Sequence, residues 1–358
     1  MTFSFHKPGY KWIAKRNRKN WANHSVIGGM ISLRVPAILG ALTMGNLILW
    51  FITVIVFRRS PVLLGTAALA YALGLRHALD ADHIAAIDNV TRRLVNANRR
   101  PVATGLFFAL GHSTIVLLLA VLIALTAGRI HKDFPTLQWI GDMAGPSLSA
   151  LFLLAMGLIN VLMLRESLAM LRRSRHEPDG TLPLAAAPRG PLTWLLMPLL
   201  RITDRSWKMY PIGLLFGLGF DTATEVGVLS ISAATAVQNL SFWTILLFPA
   251  IFSAGMILVD AADGIMMARA YGWAVVKFTR KLYYNVVMTS VTVVVALAIG
   301  TLEIVGLARQ HTGAWLSGAV TEAENHFAMI GSLMIAVFLT LWLGLWLLQN
   351  FKASNQNE

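Results

Sequence analysis

Hydrophobic residues run through this chain in long stretches that short polar segments separate. Eight of these stretches hold roughly 20 mainly apolar positions, the length that an α-helix needs to cross a bilayer. They cover residues 37–57, 62–90, 102–127, 146–164, 210–237, 242–268, 286–307 and 328–348. The pattern therefore predicts an all-α, polytopic integral membrane protein with eight transmembrane helices.

The composition points the same way. The chain has 358 residues, of which 56% are hydrophobic and only 13% are charged. Soluble proteins carry about 25% charged residues, so we expect much of this surface to face lipid. Cysteine is absent, which excludes disulfides and thiolate metal sites.

Basic residues in the polar segments test the number of helices and their direction. Cytoplasmic segments retain Lys and Arg during membrane insertion. With a cytoplasmic N-terminus, 23 of the 30 Lys and Arg residues fall in inside segments and five in outside segments. The split predicts that both termini are cytoplasmic. It also accounts for the net charge of +13 without a nucleic-acid partner.

The chain is predicted to form a single transmembrane domain over residues 1–358. Helices 1–4 occupy about 37–171 and helices 5–8 about 209–351, and a basic cytoplasmic linker of about 172–208 joins them. Four prolines in this linker indicate a flexible connection.

Ionisable residues interrupt the second, third, fifth and sixth spans, whereas the seventh and eighth are predicted to be apolar throughout. The second span reads Arg-His-Ala-Leu-Asp-Ala-Asp-His from Arg76 to His83. A charge at bilayer depth costs at least ~3 kcal/mol, so such residues face a partner or a watery cavity. Two histidines and three aspartates within twelve residues therefore predict a functional site.

An ideal helix cannot direct all of these side chains to one ion. At about 100° per residue, His77, Asp80 and Asp88 share a face, and His83 lies about 120° away from His77. We therefore expect either local unwinding near Gly74 or a division into ligands and residues that orient them. A carboxylate is the usual partner of a metal-bound histidine, and Asp80 and Asp88 are placed for that role.

Three other spans contribute polar residues. These are His112, Ser113 and Thr114 in the third span, Asp221 and Glu225 in the fifth, and Asp260 and Asp263 in the sixth. Only Arg76 is a basic residue within the interrupted spans, so the carboxylates are either partly protonated or balanced by a bound cation.

The available donors limit the choice of ion. Imidazole and carboxylate without thiolate suit Ni, Co, Zn or Mn. Oxygen sites for Mg or Ca would not need three histidines. Residue types and spacing thus indicate a borderline divalent metal, and they leave proton carriage open for one or two carboxylates.

At these residues the chain resembles the nickel/cobalt transporter family (NiCoT permeases). Residues 76–84 are similar to the second-helix signature of that family, a His followed after four residues by Asp-His. Residues 110–114, 218–225 and 255–264 resemble its motifs in the third, fifth and sixth helices. One departure is that Ala261 and Ala262 stand where the family often has Thr.

The resemblance implies a function. It implies high-affinity uptake of Ni2+, and in some members Co2+, across a bacterial cytoplasmic membrane by a single-chain secondary permease without a cofactor. The ion would be bound by His77, Asp82 and His83 with help from His112. Supporting or pathway roles would fall to Asp80, Asp88, Ser113, Thr114, Asp221, Glu225, Asp260 and Asp263.

Alternatives from other classes stay open at this point. Metal efflux is one, although export relatives often carry a His-rich loop and the linker holds only His176. A proton-coupled carrier of another cation is the second. An intramembrane metalloenzyme is the third, but H-E-x-x-H is absent. The P-loop pattern is absent too, so we predict a non-enzyme with no ATPase subunit.

Overall fold

In a computed structural model of the chain, every regular element is helical. The structure describes residues 35–97, 99, 101–125, 134–176, 203–218, 223–237, 240–274, 278–312, 326, 329–333, 335–337 and 340. The longer helices within these ranges are α1 Val35–Phe57, α2 Pro61–His77, α3 Ala81–Asn96, α4 Thr104–Leu125, α5 Phe134–His176, α6 Met209–Phe216, α7 Ala223–Val237, α8 Phe242–Ala274 and α9 Phe278–Thr312. The prediction of an all-α chain is confirmed for this part of the protein.

Six of the eight predicted spans match helices, or a bent helix pair, that are long and apolar enough to cross a membrane. Five segments are long and apolar enough to cross a membrane: Val35–Phe57, Thr104–Leu125, Ser147–Ala169, Phe242–Tyr271 and Thr289–Leu307. Helices α2 and α3 together form a sixth candidate, bent by 49°. The chain is therefore a multi-pass membrane protein. Helices α6 and α7 cover the fifth predicted span, and the eighth lies almost entirely outside the described residues.

Several helices are longer than predicted. Helices α5 and α9 have 43 and 35 residues, or about 65 and about 52 Å at 1.5 Å per residue, more than the ~30 Å hydrocarbon core. Helix α5 therefore runs into the predicted linker as far as His176. Helix α3 likewise continues to Asn96, so Arg92 and Arg93, which were assigned to a loop, are helical.

Helix α8 is the centre of the bundle, because α2, α3, α4 and α7 all pack against it. Glycine allows two of these contacts. A Cβ built on Gly74 of α2 would lie 2.0 Å from the carbonyl oxygen of Phe252, and one on Gly105 of α4 would lie 1.9 Å from that of Asp260. Small residues let membrane helices approach to backbone contact in this way.

Helix α1 lies at the edge of the bundle. Only 11% of the residues in its most apolar 18-residue stretch are buried, and Leu47 and Phe51 are 60% and 67% exposed. In a membrane protein these side chains contact lipid, so α1 contributes little to the interior.

The chain breaks between α2 and α3, at Ala78 to Asp80. The amide of Leu79 donates to the carbonyl of Arg76, and the amide of Asp80 donates to that of His77. The turn thus keeps these backbone donors paired, as the interior of a membrane requires. The expected unwinding is present, but its predicted position was wrong: Gly74 lies inside α2.

Candidate metal site

Three buried histidines meet where α2 breaks. His77 ends α2 and His83 lies in the first turn of α3, and the break brings their ring centroids to 4.6 Å. His112 of α4 completes the triangle, 5.0 Å from His77 and 4.8 Å from His83. One nitrogen from each ring lies within 4.8 Å of the other two, and none of the three residues is more than 2% exposed. The three rings can therefore converge on one ion.

Asp80 fixes the orientation of His77. The Nδ1 of His77 donates to Asp80 Oδ2 at 2.9 Å, which directs the Nε2 lone pair into the cluster. That Nε2 lies 3.2 Å from Nε2 of His112. Two nitrogen ligands about 2.1 Å from one ion stand about 3.0–3.4 Å apart, so the spacing fits a shared metal.

Glu225 adds an oxygen to these nitrogens. It lies in the first turn of α7 and is 1% exposed. Its Oε1 accepts a hydrogen bond of 2.5 Å from His112 Nε2 and lies 3.6 Å from His77 Nε2. A metal ion bound here would replace the shared proton. Three neutral imidazoles and one carboxylate carry a charge of −1, which offsets part of the charge of a divalent ion. Such a nitrogen-rich set suits Ni, Co or Zn.

Asp260 contacts the Nδ1 of His83, as Asp80 contacts the Nδ1 of His77. The Oδ2 of Asp260, in α8, lies 3.3 Å from His83 Nδ1. The Nε2 of His83 is buried and has no hydrogen-bond partner in the described part of the chain. A carboxylate on one nitrogen sets the tautomer and leaves the other free to bind metal, so His83 is prepared as a ligand.

Two phenylalanines line the histidine cluster. The ring of Phe108 meets His83 edge-on at 4.9 Å between centroids, and Phe252 lies 5.7 Å from His77. Both are fully buried. This apolar wall lowers the local dielectric, which strengthens the attraction between an ion and its ligands. Nothing in the sequence singled out these two residues, because a Phe in an apolar span is common.

The remaining predicted residues of this region lie around the cluster. Asp82, in the first turn of α3, has a buried Oδ1 without a hydrogen-bond partner among the described residues, but it is not part of the three-histidine group. Ser113 is buried beside His112. The hydroxyl of Thr114 donates to Leu110 and bonds with that of Tyr210, so it joins α4 to α6. Asp221 lies outside the described residues.

Asp88 does not orient a histidine, contrary to the prediction. It is fully buried on α3, where it accepts hydrogen bonds from the hydroxyls of Tyr271 and Thr292, the latter at 2.9 Å. These partners belong to α8 and α9. Asp88 itself lies five residues after His83 on α3. Asp88 thus belongs to a separate polar cluster with Tyr271 and Thr292, and its charge interacts with that of Asp263.

The prediction that the seventh span is apolar throughout was wrong. Glu303 of α9 is only 6% exposed and accepts a hydrogen bond of 3.0 Å from Ser149 of α5. Its presence within 286–307 is visible in the sequence, so inspection of the charges in that span would have found it.

Known proteins resemble this chain over most of its length. A profile of the NicO family, described as "High-affinity nickel-transport protein", matches residues 63–348. A "High-affinity nickel transport protein" of Cupriavidus necator is 45% identical over 304 residues, which are 83% of this chain and 86% of that protein. "Nickel transporter NicT" of Mycobacterium tuberculosis is 41% identical, over 78% of this chain and 77% of its own. "Cobalt transport protein NhlF" of Rhodococcus rhodochrous is 35% identical over 98% of each. No solved structure matches the chain.

Proposed function

The chain belongs to the NicO family of high-affinity nickel-transport proteins, and we propose that it takes up Ni2+ across a bacterial cytoplasmic membrane. The observation that carries the proposal is the buried triangle of His77, His83 and His112 inside the bundle. Because a relative is named for cobalt transport, Co2+ is the competing substrate. We also propose that the chain works alone, as a secondary permease.

The ion is held by the Nε2 atoms of the three histidines and by Glu225. The convergence of these atoms supports this assignment. Asp80 and Asp260 hold two of the rings in place. Asp82 stays in the proposed site, because it precedes His83 and its buried Oδ1 has no hydrogen-bond partner among the described residues.

The chain crosses the membrane eight times, with both termini in the cytoplasm. The charge split between the two sets of polar segments supports this topology. A membrane potential of 100 mV, negative inside, favours entry of an ion of charge +2 by about 4.6 kcal/mol, twice the value for a single charge. Net uptake therefore has an available driving force without ATP.

Radiolabelled Ni2+ uptake in cells that express the chain tests this function. Wild type should raise saturable accumulation above that of empty cells, and excess Co2+ should compete. His77→Ala and His112→Ala should remove the saturable part, whereas His326→Ala, which changes a histidine outside the cluster, should not. Immunoblots of the membrane fraction check that all variants are expressed at the same level. Accumulation below that of empty cells would instead identify an exporter.

A further inference from the structure

A pair of buried carboxylates outside the histidine cluster lies between α3 and α8. Asp88 and Asp263 are 0% and 4% exposed. Their sequence neighbours are in contact, since a Cβ built on Gly264 would lie 3.5 Å from Cγ2 of Ile87. The two carboxylate charges also interact with each other. The two acids therefore lie next to a contact between the two helices, close enough for their charges to interact.

Asp263 has no partner for its charge. Both of its carboxylate oxygens are buried and make no hydrogen bond to any residue that the structure describes. Buried polar groups are nearly always paired, and an ionised carboxylate is among the most costly to leave unpaired. A cation bound by these oxygens would offset that cost.

Asp88 is positioned to share such a cation. Each of its oxygens accepts one hydrogen bond, from Tyr271 and from Thr292, and each keeps a second lone pair. These bonds hold the carboxylate rigidly between α3, α8 and α9. The oxygens of Asp88 are therefore oriented and still able to bind an ion.

Arg92 limits how tightly the pair can hold a cation. Its charge interacts with that of Asp88, while its Nη1 donates to the hydroxyl of Thr289 at 2.7 Å. With Arg92 and both acids charged, the group carries a net charge of −1. Arg92 thus opposes part of the acids' charge, so the pair holds a cation less tightly than two unopposed carboxylates would.

The pair lies on one side of the histidine cluster. Asp263 follows Asp260, the partner of His83, by three residues, or about 4.5 Å along α8. Asp88 follows His83 by five residues, or about 7.5 Å along α3. Both steps lead toward the loop between α3 and α4, which the charge bias assigns to the cytoplasm.

We propose that Asp88 and Asp263 form a second, oxygen-only site that the divalent ion occupies after it leaves the histidine cluster. The proposal rests on the proposed function, since it takes the transported ion as the ligand. Borderline ions favour imidazole, whereas oxygen sets suit Mg, Ca and Mn. Exchange of nitrogen for oxygen ligands therefore loosens Ni2+ on its way to the cytoplasm.

Equilibrium dialysis of the purified full chain with radiolabelled Ni2+ tests the site directly. In a His77→Ala/His112→Ala protein, which lacks the tight site, a weaker class of bound Ni2+ should remain. Adding Asp263→Asn or Asp88→Asn should weaken that class at least tenfold, while Asp204→Asn, an aspartate outside the spans, should leave it unchanged. Equal weak binding with and without Asp263→Asn would overturn the proposal.

Uptake kinetics supply a second readout. With the histidines intact, Asp263→Asn should lower the maximal rate at least tenfold and change the half-saturation concentration by less than twofold, and Asp263→Glu should restore part of the rate. Gel filtration of the purified variant shows whether it is folded. If Asp263→Asn leaves weak Ni2+ binding intact but abolishes the pH dependence of uptake, the carboxylate binds a proton and the metal assignment falls. If the wild-type protein binds no Ni2+ at all, the proposed function fails. That outcome differs from a failure of the second site alone, in which wild type still binds Ni2+ tightly.

Discussion

One added methyl group at Gly74 would test whether the packing of α2 on α8 sets the geometry of the metal site. In Gly74→Ala the new Cβ would stand 2.0 Å from the carbonyl oxygen of Phe252 and 2.8 Å from its carbonyl carbon. Optimal contacts between carbon atoms are about 3.5–4.0 Å. The two helices must therefore separate by more than about 1 Å, because the obstacle is backbone and cannot rotate away.

The energetic balance is unfavourable. Overpacking a tight interface costs about 1–3 kcal/mol, whereas Ala gains at most about 1 kcal/mol over Gly from helix propensity. Gly74 lies one turn before His77, so the displacement reaches that ligand directly. Binding sites tolerate errors of about 0.5 Å. We therefore expect the half-saturation concentration for Ni2+ uptake to rise at least tenfold, together with a lower melting temperature of the purified protein.

Gly65→Ala is the matched control. Gly65 lies in the same helix, and nothing stands within 4 Å of a Cβ built there. This variant should transport Ni2+ like wild type and should melt at the same or a slightly higher temperature. Uptake is measured with radiolabelled Ni2+ at equal membrane expression. If Gly74→Ala matches Gly65→Ala in both assays, backbone contact between α2 and α8 does not position the site.

Three further outcomes follow from the same geometry. Asp260→Asn should weaken Ni2+ binding by about 10–100-fold in equilibrium dialysis, since it removes the anionic partner of His83; unchanged binding would exclude that role. The half-saturation concentration should rise as the pH falls from about 7.5 to about 5.5 at clamped membrane potential, because protons compete with the metal for the same ligands; a flat profile would move the ligands to the carboxylates. Reporter fusions at residues 97 and 183 and at both termini should report the cytoplasm, and a periplasmic signal at residue 183 would refute the eight-helix topology.

The sequence predicted the members of the histidine cluster well. A charged or strongly polar residue inside a spanning segment is costly enough that function is its usual explanation. This reasoning selected His77, His83 and His112 together with Glu225 and Asp260, and the structure brings all five side chains together. The same rule also selected Asp88, which orients no histidine, and it was not applied to Glu303, in a span that was taken as apolar.

The sequence could not supply the pairing between helices. Hydrophobic length identifies a span but not its neighbours, so nothing along the chain indicated that Asp88 would face Tyr271 and Thr292. Helical periodicity placed Asp88 and His77 on one face only because it assumed an unbroken helix. The break at residues 78–80 removes that relation, and it is also what allows His77 and His83 to meet.

The distribution of the proposed ligands over separate helices suggests a route for release of the ion. His77, His83, His112 and Glu225 come from four separate helices, α2, α3, α4 and α7, and each of these packs against α8. A relative shift of about 1 Å between two helices would therefore change the coordination of the ion without unfolding either helix. Gly74 and Gly105 bring α2 and α4 into backbone contact with α8, so the packing at these glycines limits such shifts. We expect substitutions at these two glycines to weaken Ni2+ binding before they reduce the amount of protein in the membrane.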